Sequence, residues 1–195
     1  MAEAALSNSH PLDTMLAVSD VIQNERLARL YAWVLDLDTP SVEELTSRSA
    51  SSQTTVYEDV THLVEIGVVE RVTDSQPHRY GARGVDMTIQ TGGETAQITP
   101  TLLVALAQRD SNDNIGLYTE RHGVSGLATA IEYARAYAKS EMTARIMARE
   151  QGIPVLEAET ILQEIQEILL AVEDEISTAL DLEALDADVD ERIDE

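Results

Sequence analysis

Apolar residues recur along this chain in two rhythms, and the change between them divides it. From Pro11, the set Met15, Leu16, Val18, Val21 and Ile22 falls at helical spacing. Asn24 then caps a second helix that carries Leu27, Leu30, Tyr31, Val34 and Leu35 in steps of three and four. Ser41 with Glu44 three residues on is a capping box, which starts a short helix. After the polar break Ser47 to Ser52, the residues Val56, Val60, Leu63 and Val64 put one apolar face on a further helix, and Gly67 stands where a helix end favours a left-handed residue. Val68, Val69 and Val72 favour a strand, Asp74-Ser75 is turn chemistry, and Arg79-Tyr80 lies in the returning strand. A second hairpin follows: Asp86 to Thr91 alternates apolar with polar, Gly92-Gly93 turns, and Glu94 to Ile98 returns. From Thr99-Pro100, read as cap and first helical residue, the spacing is helical only. It predicts helices over 100–109, 112–121, 124–139, 141–151 and 154–178, with Gly123 and Gly152 ending two of them.

The expected fold class is therefore mainly α with small β-hairpins (α+β): a winged helix-turn-helix followed by a helical C-terminal domain. The expected divisions are a leader and helix over 1–23, the winged unit over 24–85, a hairpin connector over 86–98, a helical domain over 99–178 and an acidic tail over 179–195. The run Ser52-Gln53-Thr54-Thr55-Val56-Tyr57, with Leu63, Gly67, Val68-Val69 and Arg71, resembles the recognition helix and first wing strand of the TrmB and ArsR groups of prokaryotic transcription regulators. Many such motifs carry alanine on the first helix and glycine in the turn four residues later; Thr46 and Ala50 stand there in this chain.

The resemblance implies sequence-specific binding of double-stranded DNA, with the recognition helix in the major groove. Gln53, Thr54, Thr55 and Glu58 then lie near the exposed N-terminal face of that helix. Glutamine can pair with adenine, threonine can touch a thymine methyl, and glutamate can accept from cytosine N4. Ser51 and Ser52 would position phosphates at the helix N-terminus. Arg48, Arg71, Arg79 and Arg83 would contact the backbone or minor groove, and His78 would face DNA from the wing. Tyr57 fits either the core or a phosphate contact.

Charge complicates this picture. The 195 residues carry 13 lysine and arginine side chains against 36 aspartates and glutamates, a net charge of -23. Lys139 is the sole lysine. Such acidity can mark a disordered chain, but 44% of the residues are hydrophobic and regularly spaced. The composition resembles that of haloarchaeal proteins, in which carboxylates hold hydration and salt screens their repulsion within a Debye length of roughly 3 Å at 1 M. There is no cysteine, which removes disulfides, thiolate metal sites and cysteine nucleophiles. No N-terminal basic region precedes an apolar core and no apolar run suits a membrane helix, so a soluble, cytoplasmic protein with no membrane partner is expected.

Little else in the chain carries chemistry. His10, His62, His78 and His122 show no H-x-x-x-H or H-E-x-x-H spacing, and no G-x-S-x-G occurs. Gly92-Gly93 lacks the strand-to-helix context of a phosphate loop. Asp110, Asn112, Asp113 and Asn114 lack calcium-loop spacing and suit helix capping instead. No enzyme, cofactor or metal is expected, and no effector can be named. Trp33 reads as core packing or a dimer contact rather than a ligand platform.

A homodimer is expected, since two half-sites are usually read by a two-fold pair. Leu162, Ile165, Leu169, Val172 and Ile176 repeat as a coiled-coil seam does and form the first candidate interface; packing within their own domain is the competing reading. The helix around Leu16 to Ile22 is the second candidate. Ala148 and Gly152 have helix-turn-helix spacing, but Glu157, Glu159 and Glu164 on the next helix oppose a second DNA-reading unit, and a helical hairpin is preferred. The acidic tail reads as solvated, with shielding of the wing as the competing idea. The rival to DNA binding is a winged-helix protein-interaction module. What separates the two is whether Arg48, Arg71, Arg79 and Arg83 share a face free of carboxylates.

Overall fold

The computed structural model describes residues 11–92 and 94–172. The helices and strands in chain order are α1 (Pro11–Gln23), α2 (Glu25–Asp36), α3 (Val42–Arg48), α4 (Gln53–Glu65), β1 (Val69–Arg71), β2 (Tyr80–Ala82), β3 (Met87–Thr91), β4 (Glu94–Ile98), α5 (Pro100–Gln108), α6 (Asp113–Ala138) and α7 (Ala144–Gln151). A last helix, α8, spans 155–172. The fold is mainly helical with two small antiparallel hairpins, the first of which is the wing.

Side-chain caps open several of the helices. The Asn24 side chain accepts from the amide of Arg26 at 3.1 Å. At α3 the capping box is complete: Ser41 Oγ accepts from the Glu44 amide, and Glu44 Oε2 accepts from the Ser41 amide at 2.7 Å. Ser52 Oγ accepts from the Thr55 amide at 3.2 Å and so opens α4. Gly67 takes φ 81° at the end of α4, which turns the chain into β1. Thr99, with Pro100 after it as the first helical residue, is placed as expected. It occupies the cap position of α5, but its buried hydroxyl finds no partner, because the Leu102 amide donates to the Thr99 carbonyl at 3.0 Å instead. Gly123 interrupts α6. Its backbone, at φ 70° and ψ -178°, is not helical, so α6 is two helices that meet at a kink where the spacing divided them.

The wing pairs Val69 with Ala82 and Arg71 with Tyr80. It is tied back to the helices by an isolated bridge between Ser41 and Arg79 and by the Tyr80 amide donating to the Pro40 carbonyl at 3.0 Å. In the second hairpin Met87 pairs with Ile98 and Ile89 with Ala96.

Two apolar cores result. Val21, Leu27, Tyr31, Leu45, Val60 and Leu63 centre the first, and Leu106, Ile115, Leu127, Met147, Ile161 and Ile165 the second. Helix α5 belongs to both. Leu102, Ala105 and Leu106 enter the second core, whereas Leu103 and Ala107 enter the first and pack the helix against α2. The winged and helical units therefore share a helix that is apolar but for Thr101 and Gln108.

The expected dimer seam is corrected here. Leu162, Ile165, Leu169 and Val172 are all buried in the chain's own second core, at 0–4% exposure, and cannot also cover a second chain. Helix α8 has one apolar stripe, and it closes the core that α5, α6 and α7 leave open. Ile176 lies outside the described residues, as do the 1–10 leader, Gly93 and the 179–195 tail. Helices α7 and α8 form a hairpin about Gly152 at φ 66°, burying Ala144, Met147 and Ala148 from α7 and Ala158 and Ile161 from α8.

Candidate functional site

Helix α4 has one buried and one open face. Val56, Asp59, Val60 and Leu63 point inward. Gln53, Thr54, Tyr57 and Glu58 are exposed on its first two turns, and Tyr57 is 55% exposed, which places it outside the core. Thr55 is turned toward the cap, its hydroxyl 2.9 Å from Ser52 Oγ. Ser51 is half-buried and its amide donates to Ser49 Oγ at 3.0 Å. Beside the open face lies a groove of about 550 Å³ between the starts of α3 and α4 and the wing, lined in part by Glu43, Gln53, Thr54, Tyr57, Gln76 and His78. His78 is half-buried at the wing turn, its Nδ1 3.3 Å from the Thr73 carbonyl.

The arginines do not form an open basic face. Arg83 gives both Nε and Nη2 to Glu70 Oε2, at 3.0 and 2.7 Å. Arg79 lies 3.4 Å from Glu44 and donates to the Thr39 carbonyl at 2.9 Å. Arg71 pairs with Asp74 at 3.4 Å, and Arg48 pairs with Asp36. Arg26 holds Asp59, and Arg29 holds Glu25. Every arginine of the winged unit thus has a carboxylate of its own chain. The Glu44 carboxyl is held below its ordinary range, first by the Ser41 amide, then by the Ser41 hydroxyl and to a lesser degree by Arg79. Its charge belongs to the helix cap before it belongs to the wing.

Asp59 is a residue that sequence reasoning passed over. It is 8% exposed, on the inner face of α4, and Arg26 Nε reaches its Oδ2 at 2.6 Å. The signal was present: Asp59 sits inside the apolar stripe formed by Val56, Val60 and Leu63, where a lone carboxylate requires a partner. His62, on the last turn of α4, lies 3.0 Å from Asp20 and links α4 to α1.

The helical unit holds a second polar cluster. Tyr118 stacks on His122 with ring centroids 4.4 Å apart, and burial pushes the Tyr118 hydroxyl up to about 12. His122 Nε2 lies 2.9 Å from Glu157 Oε1, and Arg121 approaches the same oxygen at 3.5 Å. The hydrogen bond from His122 is the main reason the Glu157 carboxyl lies below its ordinary range. Among the described residues, no group of histidine, aspartate and glutamate side chains has the arrangement of a metal site, and no helix is long and apolar enough to cross a membrane.

Comparison with known proteins reaches only this helical unit. A family model, described as a family of unknown function (DUF7437), matches residues 109–174. The matched stretch opens just after α5 and takes in all of α6, α7 and α8. No curated protein and no solved structure matches the chain.

Proposed function

We propose that the chain is a cytoplasmic transcription regulator adapted to high salt, which reads double-stranded DNA with α4. The observation that carries this is the uncovered polar face of Gln53, Thr54, Tyr57 and Glu58 on the first two turns of a capped helix, with a wing alongside. These side chains offer the donors, acceptors and apolar edge that base readout in a major groove uses. A homodimer suits paired half-sites. With the α8 stripe buried, the surface offered to a second copy is α1, where Met15 and Leu16 are 48% and 66% exposed.

The paired arginines set the terms of binding. Exposed ion pairs such as Arg71–Asp74 and Arg48–Asp36 are worth only about 0–1 kcal/mol. Exchanging a carboxylate for a DNA phosphate therefore costs about that much per contact, and molar salt screens the carboxylate left behind. Binding to the chain's own promoter region, followed by fluorescence anisotropy across a KCl series, tests the reading. Gln53→Ala and Thr54→Ala should each reduce discrimination between sequences, by roughly 1–3 kcal/mol where a bidentate pair is lost. Equal affinity for all sequences in the wild type and both variants would remove base readout by α4.

A second reading is favoured by those same ion pairs. A winged helix whose arginines all hold internal carboxylates also suits a protein-interaction module that does not bind DNA. It gains support if no DNA binds at any KCl concentration and neither variant alters promoter activity in cells.

A further inference from the structure

A crevice of about 800 Å³ opens where α2, α5 and α8 converge, between the winged and helical units. Its apolar wall comes from Trp33 and Leu35 of α2, Val104 of α5, and Ile168 and Val172 of α8. Trp33 is only partly buried, so an edge of the first core lies open to this space. The volume lies in the range that drug-sized ligands fill.

The polar rim is anionic. Asp36, Asp110, Glu164 and Glu167 line it, against the guanidiniums of Arg29 and Arg48. Both guanidiniums are already engaged, Arg29 with Glu25 and more distantly with Asp110 at 3.8 Å, and Arg48 with Asp36. Glu164 accepts from Asn112 Nδ2 and Asn114 Nδ2, both at 2.6 Å. Those amides orient the carboxylate but leave its charge uncompensated. Glu167 is exposed and has no ion-pair partner among the described residues. An apolar wall with an indole ring, under a rim on which Glu164 and Glu167 are uncompensated, favours a ligand that is both apolar and cationic.

We propose that this crevice is a binding site for an organic cation, of the aromatic or alkyl quaternary-ammonium type. The ring or alkyl part packs on Trp33, Val104 and Ile168, and the cationic end faces Glu164 and Glu167. An anion is disfavoured, because it would have to displace Glu25 or Asp36 from an arginine and face the remaining carboxylates.

Trp33 is the chain's one tryptophan, so its intrinsic fluorescence reports on the crevice directly. The full chain, in the lowest KCl that keeps it folded, is titrated with benzyltrimethylammonium, with its uncharged isostere neopentylbenzene and with phenylacetate. Calorimetry provides a second reading of the same titrations. The expected result is a saturable change with the cation, a much weaker one with the isostere and none with phenylacetate. Glu167→Gln, an exposed substitution, should lower affinity for the cation about fivefold while leaving the circular dichroism spectrum unchanged. The site is refuted if the cation gives no saturable signal by either method, if the isostere binds as well as the cation, or if Glu167→Gln has no effect. No DNA is present, so the outcome is independent of the DNA-binding reading.

Discussion

The hydroxyl of Tyr31, in the middle of α2, donates to the backbone carbonyl of Arg83 at 2.9 Å. This bond spans 52 residues of sequence and fastens the scaffold helix to the chain just past the wing. The side chain is fully buried, and burial holds the hydroxyl well above the usual tyrosine range. Tyr31→Phe keeps the ring and loses the bond. It also leaves the Arg83 carbonyl short of an acceptor's partner, so stability should fall by about 1–3 kcal/mol. The sign of the pH effect follows from the raised value. Below the unfolded tyrosine value, near 10, the hydroxyl is neutral in both states and the contribution is complete. Above it the unfolded chain ionises first, and stability is lost as pH rises. Chemical denaturation from pH 8 upward should show an alkaline decline in the wild type that is shallower in the variant; identical slopes would contradict this role.

Glu70 occupies the guanidinium of Arg83 on the wing, and both side chains are largely shielded. If the chain reads DNA, Glu70→Gln releases that guanidinium and removes one negative charge. Affinity should rise for all sequences about equally, and the dependence of log affinity on log KCl should become steeper by about one phosphate contact. A variant with weaker binding than the wild type would show that the ion pair positions the wing rather than masking it.

How much of this was legible in the sequence depends on how local each determinant is. Asn24, the Ser41–Glu44 box, Gly67 and Gly152 act within a turn of themselves, and each works where its spacing placed it. The inward direction of the α8 stripe was not legible. A repeat of threes and fours states that a helix buries one face, and does not state against what. The pairing of Arg83 with Glu70 or of Arg26 with Asp59 depends on strands and helices brought together from a distance. In a chain with so many carboxylates, no spacing could single out the partner. Gly123 belongs with the legible positions, since its non-helical backbone parts the two halves of α6 where the spacing divided them.

Leu103 is fully buried in the first core, although it sits on the helix that supplies Leu102 and Leu106 to the second. Leu103→Ala should destabilise the protein by about 2–5 kcal/mol. Because α5 is common to both cores, calorimetry should show one transition in the wild type, and in the variant one transition at lower temperature. Two resolved transitions would show that the units melt separately.

Glu157 joins α8 to the first half of α6 through His122 and Arg121. Its carboxyl is held below the ordinary range in the folded chain, so its contribution is present above the unfolded carboxylate value and is lost as pH falls through the folded one. Glu157→Gln should lower stability near neutral pH by roughly 1 kcal/mol and should soften the loss of stability on acidification. Thermal melts at descending pH, wild type beside variant, supply the comparison.

A net charge of -23 makes the folded chain repel itself when salt is withdrawn. Helix content by circular dichroism should fall cooperatively as KCl is dialysed away and should return on its restoration. A melting temperature indifferent to KCl would remove the proposed adaptation to high salt.

The position of α5 also limits how this protein can be taken apart. A cut at the strand-to-helix boundary after Ile98 looks natural in the sequence, yet it would strip Leu103 and Ala107 from the face of α2 and leave that face wet. A cut after Gln108 would keep those two but strand Leu102 and Leu106 in water. The winged unit is therefore not a portable cassette. Transplanted to another protein, it would need either the whole helical unit or a redesigned outer face on α5, with polar residues at positions 102, 105 and 106.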